Sequence, residues 1–195
     1  NGTNEIAVFR PSDGLWAIRN FTRCYYGGDD DLPRPEDFNG DGICDPAIYR
    51  PSTGLWAVRG ESRVYFGRTA DRPVPADYDG DGTVDTAVFR PSTGLWAVRR
   101  ISRFYYGQSF DRPVTDRYGG NGPDIPALFR PESGLWAVRG ISRFYFGRNG
   151  DIPVQTDYRG AGTAGAAVYR PENGLWALRE YSRVYYGAGD YIPAH

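Results

Sequence analysis

The stretch TAVFRPSTGLWAVRRISRFYYG, residues 86–107, decides the fold. Its β-branched and aromatic residues alternate with period two and are punctuated by Gly and Pro, the pattern of short strands rather than of helix. Pro91-Ser92-Thr93-Gly94 supplies the chemistry of a tight turn, with Gly94 free to take a positive φ. Adding the Pro-Val stretch just upstream gives four strands: Pro73–Asp77, Thr86–Arg90, Leu95–Arg99 and Ser102–Tyr106.

The same phrase recurs outward in both directions. Trp16, Trp56, Trp96, Trp136 and Trp176 stand forty residues apart, each inside an RP-x-x-GLWA-x-R phrase and each followed by a CYYG, VYFG, FYYG, FYFG or VYYG run. A third block, DLPRPEDF, DRPVPADY, DRPVTDRY and DIPVQTDY, precedes the second to fifth copies. Four strands every forty residues predict an all-β, five-bladed β-propeller. Trp96 and Val98 then face one neighbouring blade, while Leu95 and Ala97 face the other. The expected blades are residues 191–195 with 1–28, then 31–68, 71–108, 111–148 and 151–188, all in one domain spanning 1–195. The opening NGTNEIAVFR aligns with Asp81–Arg90 and the closing DYIPAH aligns with strand one, so the terminal strand is expected to complete the first blade and close a ring. A ring removes open sheet edges. A spiral solenoid, the alternative, would leave both ends uncapped.

Bulk composition narrows the function. A formal charge of −1 leaves no net field for nucleic acid, and no apolar run approaches the ~18 residues that span a bilayer. The reading is therefore a monomer with neither nucleic-acid binding nor membrane insertion. With no Met anywhere, the chain reads as a processed product or an excised domain. All 23 basic residues are Arg, which suits aromatic interfaces but also follows from a GC-rich genome. His195 is the single histidine, at the last position, which removes Ser-His, Cys-His and His-zinc chemistry. No catalytic residue is expected, and the chain is read as a non-enzyme.

Two loops between strands one and two carry explicit chemistry. They read DFNGDGICD at 37–45 and DYDGDGTVD at 77–85. Oxygens at alternate positions, with Gly allowing a sharp bend, can wrap one hard cation, and Ca²⁺ takes about 6–8 such ligands. The expected ligands are the side chains of Asp37, Asn39, Asp41 and Asp45 with the Ile43 carbonyl, and those of Asp77, Asp79, Asp81 and Asp85 with the Thr83 carbonyl. The loops open like an EF-hand but lack Glu at position twelve. Solvated acidic turns without metal are the plainer alternative. The fourth loop, Arg117–Ile125, and the fifth, Asp157–Gly165, each keep one side-chain ligand of four, and the first keeps only Asn1 and Glu5. Two calcium ions are therefore expected rather than five, in a structural role.

Aspartate-rich loops joined to a Phe-Gly or Tyr-Gly strand and a Pro-Val strand resemble the bacterial FG-GAP-like, or VCBS, propeller repeats, over essentially the whole chain. That resemblance implies a calcium-stabilised propeller at the cell surface or outside the cell, acting as a recognition or adhesion module. Its ligand would be a glycan or an extracellular protein. A purely structural scaffold, recently amplified or designed, is the alternative.

Other repeated residues have two readings. Arg10, Arg19, Arg23 and their equivalents could form repeated anion or sugar sites, or could stack on rings and pair with blade carboxylates. The Trp and Tyr ladders could be sugar platforms or inter-blade core, with core the stronger reading for Trp. Cys24 and Cys44 deviate from the repeat in adjacent units, which fits either a bridge between blades or two separate thiols.

Overall fold

The computed structural model describes residues 7–18 and 22–187. Every regular element there is a β-strand. Blade one contains β1 (Ala7–Arg10), β2 (Leu15–Ile18) and β3 (Thr22–Tyr25). Blade two contains β4 (Leu32–Pro33), β5 (Ala47–Arg50), β6 (Leu55–Val58) and β7 (Ser62–Tyr65). Blade three contains β8 (Arg72–Pro73), β9 (Ala87–Arg90), β10 (Leu95–Val98) and β11 (Ser102–Tyr105). Blade four contains β12 (Arg112–Pro113), β13 (Ala127–Arg130), β14 (Leu135–Val138) and β15 (Ser142–Tyr145). Blade five contains β16 (Ile152–Pro153), β17 (Ala167–Arg170), β18 (Leu175–Leu178) and β19 (Ser182–Tyr185). Each blade is a separate antiparallel sheet in chain order, with four strands in blades two to five. This is the all-β, five-bladed β-propeller class that the repeat predicts. The expected closing strand, 191–195, lies outside the described residues, as do Asn1 and Glu5.

Strand one is shorter than its sequence suggests. In blade three it pairs only as Arg72↔Phe89 and Pro73↔Val88, then returns as a single bridge, Ala76↔Asp85, in the same register. The Val74 N–H still donates to the Ala87 carbonyl at 2.9 Å, and blades four and five, with Thr115 and Gln155 in place of Pro75, are interrupted at the same point. The turn between strands two and three behaves as read: Gly94 has φ 69° and its N–H donates to the Arg90 carbonyl at 2.9 Å. At the equivalent Gly54 a Cβ would stand 2.8 Å from the Gly67 carbonyl oxygen, so no larger residue fits without displacement.

The chain divides into two compact units, one of Asn1–Asp77 with Asp81–Tyr106 and the other of Tyr78–Gly80 with Gly107–His195. In the first, Trp16 packs with Ile48 and Ala57, and Tyr49 and Trp56 pack with Val88 and Ala97. In the second, Phe129 and Trp136 pack with Val168, Leu175 and Ala177. Within each unit, the aromatic face of one blade thus meets the small aliphatic face of the next. Trp-rich strands alternate large and small residues because both faces are buried against unlike partners.

A buried ion pair repeats beneath this core. Asp31, Asp71, Asp111 and Asp151 are buried, and each carboxylate accepts the Nε–H and Nη2–H of the Arg nineteen residues later: Arg50, Arg90, Arg130 and Arg170. The second oxygen also accepts a backbone N–H three residues back, from Gly28, Arg68, Gln108 and Arg148. Each pair ties the loop entering strand one to the end of strand two. These arginines therefore pair with blade carboxylates, and Asp151 raises the Arg170 pKa above its usual value through their hydrogen bonds. In blade one Arg10 pairs instead with Asp13, on the exposed turn.

Cys24 is buried, packed with Trp16, Ile48 and Ala57, and Cys44 is exposed on the 37–45 loop. They do not form a bridge.

Candidate metal centre

Loops 37–45 and 77–85 leave strand one and are closed by the bridges Glu36↔Asp45 and Ala76↔Asp85. The position-one aspartate makes the turn. Asp37 Oδ1 accepts the N–H groups of Gly40 (2.7 Å) and Asp41 (3.2 Å), and its Oδ2 accepts that of Gly42 (2.8 Å). Gly42 has φ 81°, a conformation that favours glycine. Burial pushes the Asp37 carboxyl up, but those N–H groups together hold it below its usual value. Further along, Asn39 Oδ1 accepts the Asp41 N–H at 2.9 Å, and Asp41 Oδ1 accepts the Ile43 N–H at 2.8 Å. Asp45 Oδ2 accepts the Phe38 N–H at 3.1 Å. Burial, then repulsion by Asp41, Glu61 and Asp37, raise the Asp45 pKa.

In the 77–85 loop the side chains converge. Asp77, Asp79 and Asp85 each bring a carboxylate oxygen within 4.8 Å of the other two. Asp77 is 6% exposed and also accepts the Gly82 N–H at 3.1 Å. Two oxygens on opposite sides of one Ca²⁺, each at about 2.3–2.6 Å, would stand roughly 5 Å apart, so this trio is spaced for a single ion of that size. Asp81 is not in the trio. Its Oδ1 accepts the N–H of Thr83 at 2.8 Å and its hydroxyl at 2.5 Å, and that hydroxyl is the main cause of its lowered pKa. The donor set is all oxygen and anionic, which suits a hard divalent cation.

The two remaining described loops lose the acids, and that of blade five keeps the turn, with Gly162 at φ 74° where Gly42 and Gly82 have 81° and 90°. Asp157 still collects the N–H groups of Arg159 (3.1 Å), Ala161 (3.0 Å) and Gly162 (2.6 Å). In blade five the turn therefore forms around the position-one Asp and its glycines without the other acids. Arg117 takes position one in blade four, and the neighbouring Asp116 is half-buried. Burial raises its pKa to about 6, with repulsion from Asp124 and Asp157 adding to the effect. Folded chains therefore keep a proton between pH 3.8 and about 6 that unfolded chains release, and stability falls as pH rises through that window. Asp116→Asn is expected to flatten this slope and to add about 1–2 kcal/mol above pH 7, after discounting for partial exposure. Urea melts at pH 4, 5, 6 and 7 would check it, and parallel slopes for the two proteins would contradict it.

Two features escaped the sequence reading. One is the acid that partners each repeated arginine: pairing with blade carboxylates is expected, but not that the Asp two residues before Pro33, Pro73, Pro113 and Pro153 takes the Arg nineteen residues on. The other is which tyrosines reach solvent: Tyr25, Tyr65, Tyr105, Tyr145 and Tyr185 are 68–74% exposed on the last strand of each blade, while Trp16, Trp56, Trp96 and Trp136 are buried and Trp176 is partly so. Comparison with family models, with curated proteins and with solved structures gives no match to this chain.

Proposed function

We propose that the chain is a non-enzymatic, calcium-binding β-propeller of the FG-GAP-like type that works outside the cell as a recognition or adhesion module, with a glycan or a protein as ligand. The observation that carries the reading is the convergence of Asp77, Asp79 and Asp85 on one loop. Calcium there would be held by those carboxylates and would tie the loop to the start of β9, a structural role. The five exposed tyrosines support the recognition half, since each presents a rigid ring with a polar tip to solvent. A second reading, a repeat scaffold with no ligand beyond calcium, is favoured by the recurrence of the strand segments in all five copies, exposed tyrosines included.

Calcium at one hundred times its Kd would stabilise by about 2.7 kcal/mol per site, or roughly 5–10 °C in Tm for a chain of this size. Melting in millimolar Ca²⁺ against EDTA is expected to show that shift, and Asp77→Asn with Asp85→Asn is expected to remove the larger part of it. Identical melts would overturn the calcium reading. A glycan array then separates the two roles: specific binding supports recognition, and silence with calcium-dependent melting supports the scaffold.

A further inference from the structure

We propose that a cleft beside the fifth blade's acid-poor loop binds a pyranose carrying a carboxylate. The cleft has a volume of about 240 Å³ and lies within the second unit, walled by side chains of blades four and five. Sequence explains why it is open. Residues 162–167 read GTAGAA, a run of small side chains. Where blades two, three and four place Asp45, Asp85 and Ile125, blade five has Gly165, and in place of Pro46, Thr86 and Pro126 it has Ala166. A Cβ on Gly165 would meet nothing nearer than the Thr156 carbonyl oxygen at 4.0 Å, so the space that a side chain fills in the other blades is vacant. Charge is reversed too: loop position three is Asn39 or Asp79 in the acidic loops and Arg159 here.

The two cations of this cleft each lie on a ring, and the Phe144 ring also stacks near-parallel to Trp136 at 6.2 Å. The Arg179 guanidinium lies 4.1 Å from the centre of the Phe144 ring and also contacts Glu180 Oε1 at 2.7 Å. Arg159 lies 5.0 Å from the Tyr181 ring and donates to the Glu180 carbonyl at 2.9 Å. Tyr158 is fixed by its hydroxyl, which donates to the Val154 carbonyl at 2.7 Å, and its ring lines the cleft. Thr163 adds a hydroxyl to the wall.

Size and chemistry together select the ligand. The volume falls below the roughly 300–1,000 Å³ of drug-sized pockets and suits one sugar ring. The exposed Tyr158 and Tyr181 rings offer aromatic surface to the apolar face of a pyranose, the Thr163 hydroxyl can exchange hydrogen bonds with its rim, and Arg159, held by the Glu180 carbonyl, can turn its remaining N–H groups onto a carboxylate. A bare phosphate would leave the rings uncovered, and a flat aromatic ligand would leave the cations unused.

The inference rests on the recognition reading above but not on the calcium loops. Methyl glucuronide, methyl glucoside and acetate would be titrated against the full chain by NMR, each in calcium and in EDTA. Glucuronide is expected to bind saturably with a millimolar Kd, the glucoside at least tenfold more weakly, and acetate without saturation. Gly165→Ile, which restores the side chain found at Ile125, is expected to abolish glucuronide binding while leaving the melting curve in place. Arg159→Ala is expected to weaken it at least tenfold, which keeps the test open should the first variant not fold. Absence of saturable glucuronide binding overturns the proposal, as does equal binding of acetate or wild-type binding by a folded Gly165→Ile chain. Failure here with calcium-dependent melting intact leaves the calcium reading standing. Glucuronide binding that survives in a chain indifferent to calcium supports this cleft alone.

Discussion

Replacing Asp151 by alanine is expected to cost about 3–5 kcal/mol, a large share of the ~5–15 kcal/mol that holds a domain together. Asp151 is 1% exposed, and its carboxylate accepts Arg170 Nε at 2.7 Å, Arg170 Nη2 at 2.9 Å and the Arg148 N–H at 2.9 Å. Alanine leaves a largely buried guanidinium without its anion and a backbone donor without an acceptor. Most of the loss comes from those stranded partners, so Asp151→Ala with Arg170→Met should cost less than the single change plus the Arg change alone. Glu172→Ala provides the contrast. It breaks the Arg148–Glu172 pair, whose side chains are 55% and 73% exposed, and is expected to cost under about 1 kcal/mol. Urea unfolding of the four proteins would check the ordering. A loss below 1 kcal/mol for Asp151→Ala would mean that the repeated pairs are ornament rather than ties.

Trp136→Ala is expected to cost a similar amount, about 3–5 kcal/mol, by a different route. The indole is fully buried, stacked near-parallel to Phe144 at 6.2 Å and tilted against Phe129 at 5.2 Å. Its Nε1–H donates to the Phe146 carbonyl at 2.9 Å, linking the middle strand to the chain beyond β15. Alanine opens a cavity against Val168 and Leu175 of the next blade and removes that donor. Trp136→Phe keeps part of the volume and is expected to lose less. Tyr145→Ala, 73% exposed on the last strand, is expected to change stability by under about 0.5 kcal/mol. Comparable losses at Trp136 and Tyr145 would contradict the division between core tryptophans and surface tyrosines.

The blades were legible because their causes are local. Period-two alternation, a Gly able to adopt φ 69° at position 94 and a fixed forty-residue spacing are all written in consecutive residues. What the sequence hid is non-local. Asp71 and Arg90 meet across nineteen residues, and a recurring acid gives no sign of its partner until the strands are paired. The joint deviation of Cys24 and Cys44 fits a bridge or two separate thiols equally, and the structure separates them, with one buried and the other exposed. The candidate cation loops fall between these cases. Spacing announced both, but it did not show that Asp81 turns to the Thr83 hydroxyl two residues on while Asp77, Asp79 and Asp85 meet. The cleft at Gly165 is the extreme case, since it arises from side chains that are missing.

Two acidic loops, at 37–45 and 77–85, stand against two described loops that have lost their acids, and the calcium reading depends on that contrast. Counting calcium bound per chain by equilibrium dialysis, on protein first stripped with chelator, tests it most directly. The account predicts two ions, falling to one in Asp77→Asn with Asp85→Asn. No bound calcium at millimolar concentration, or four ions that ignore the difference between acidic and acid-poor loops, would contradict it.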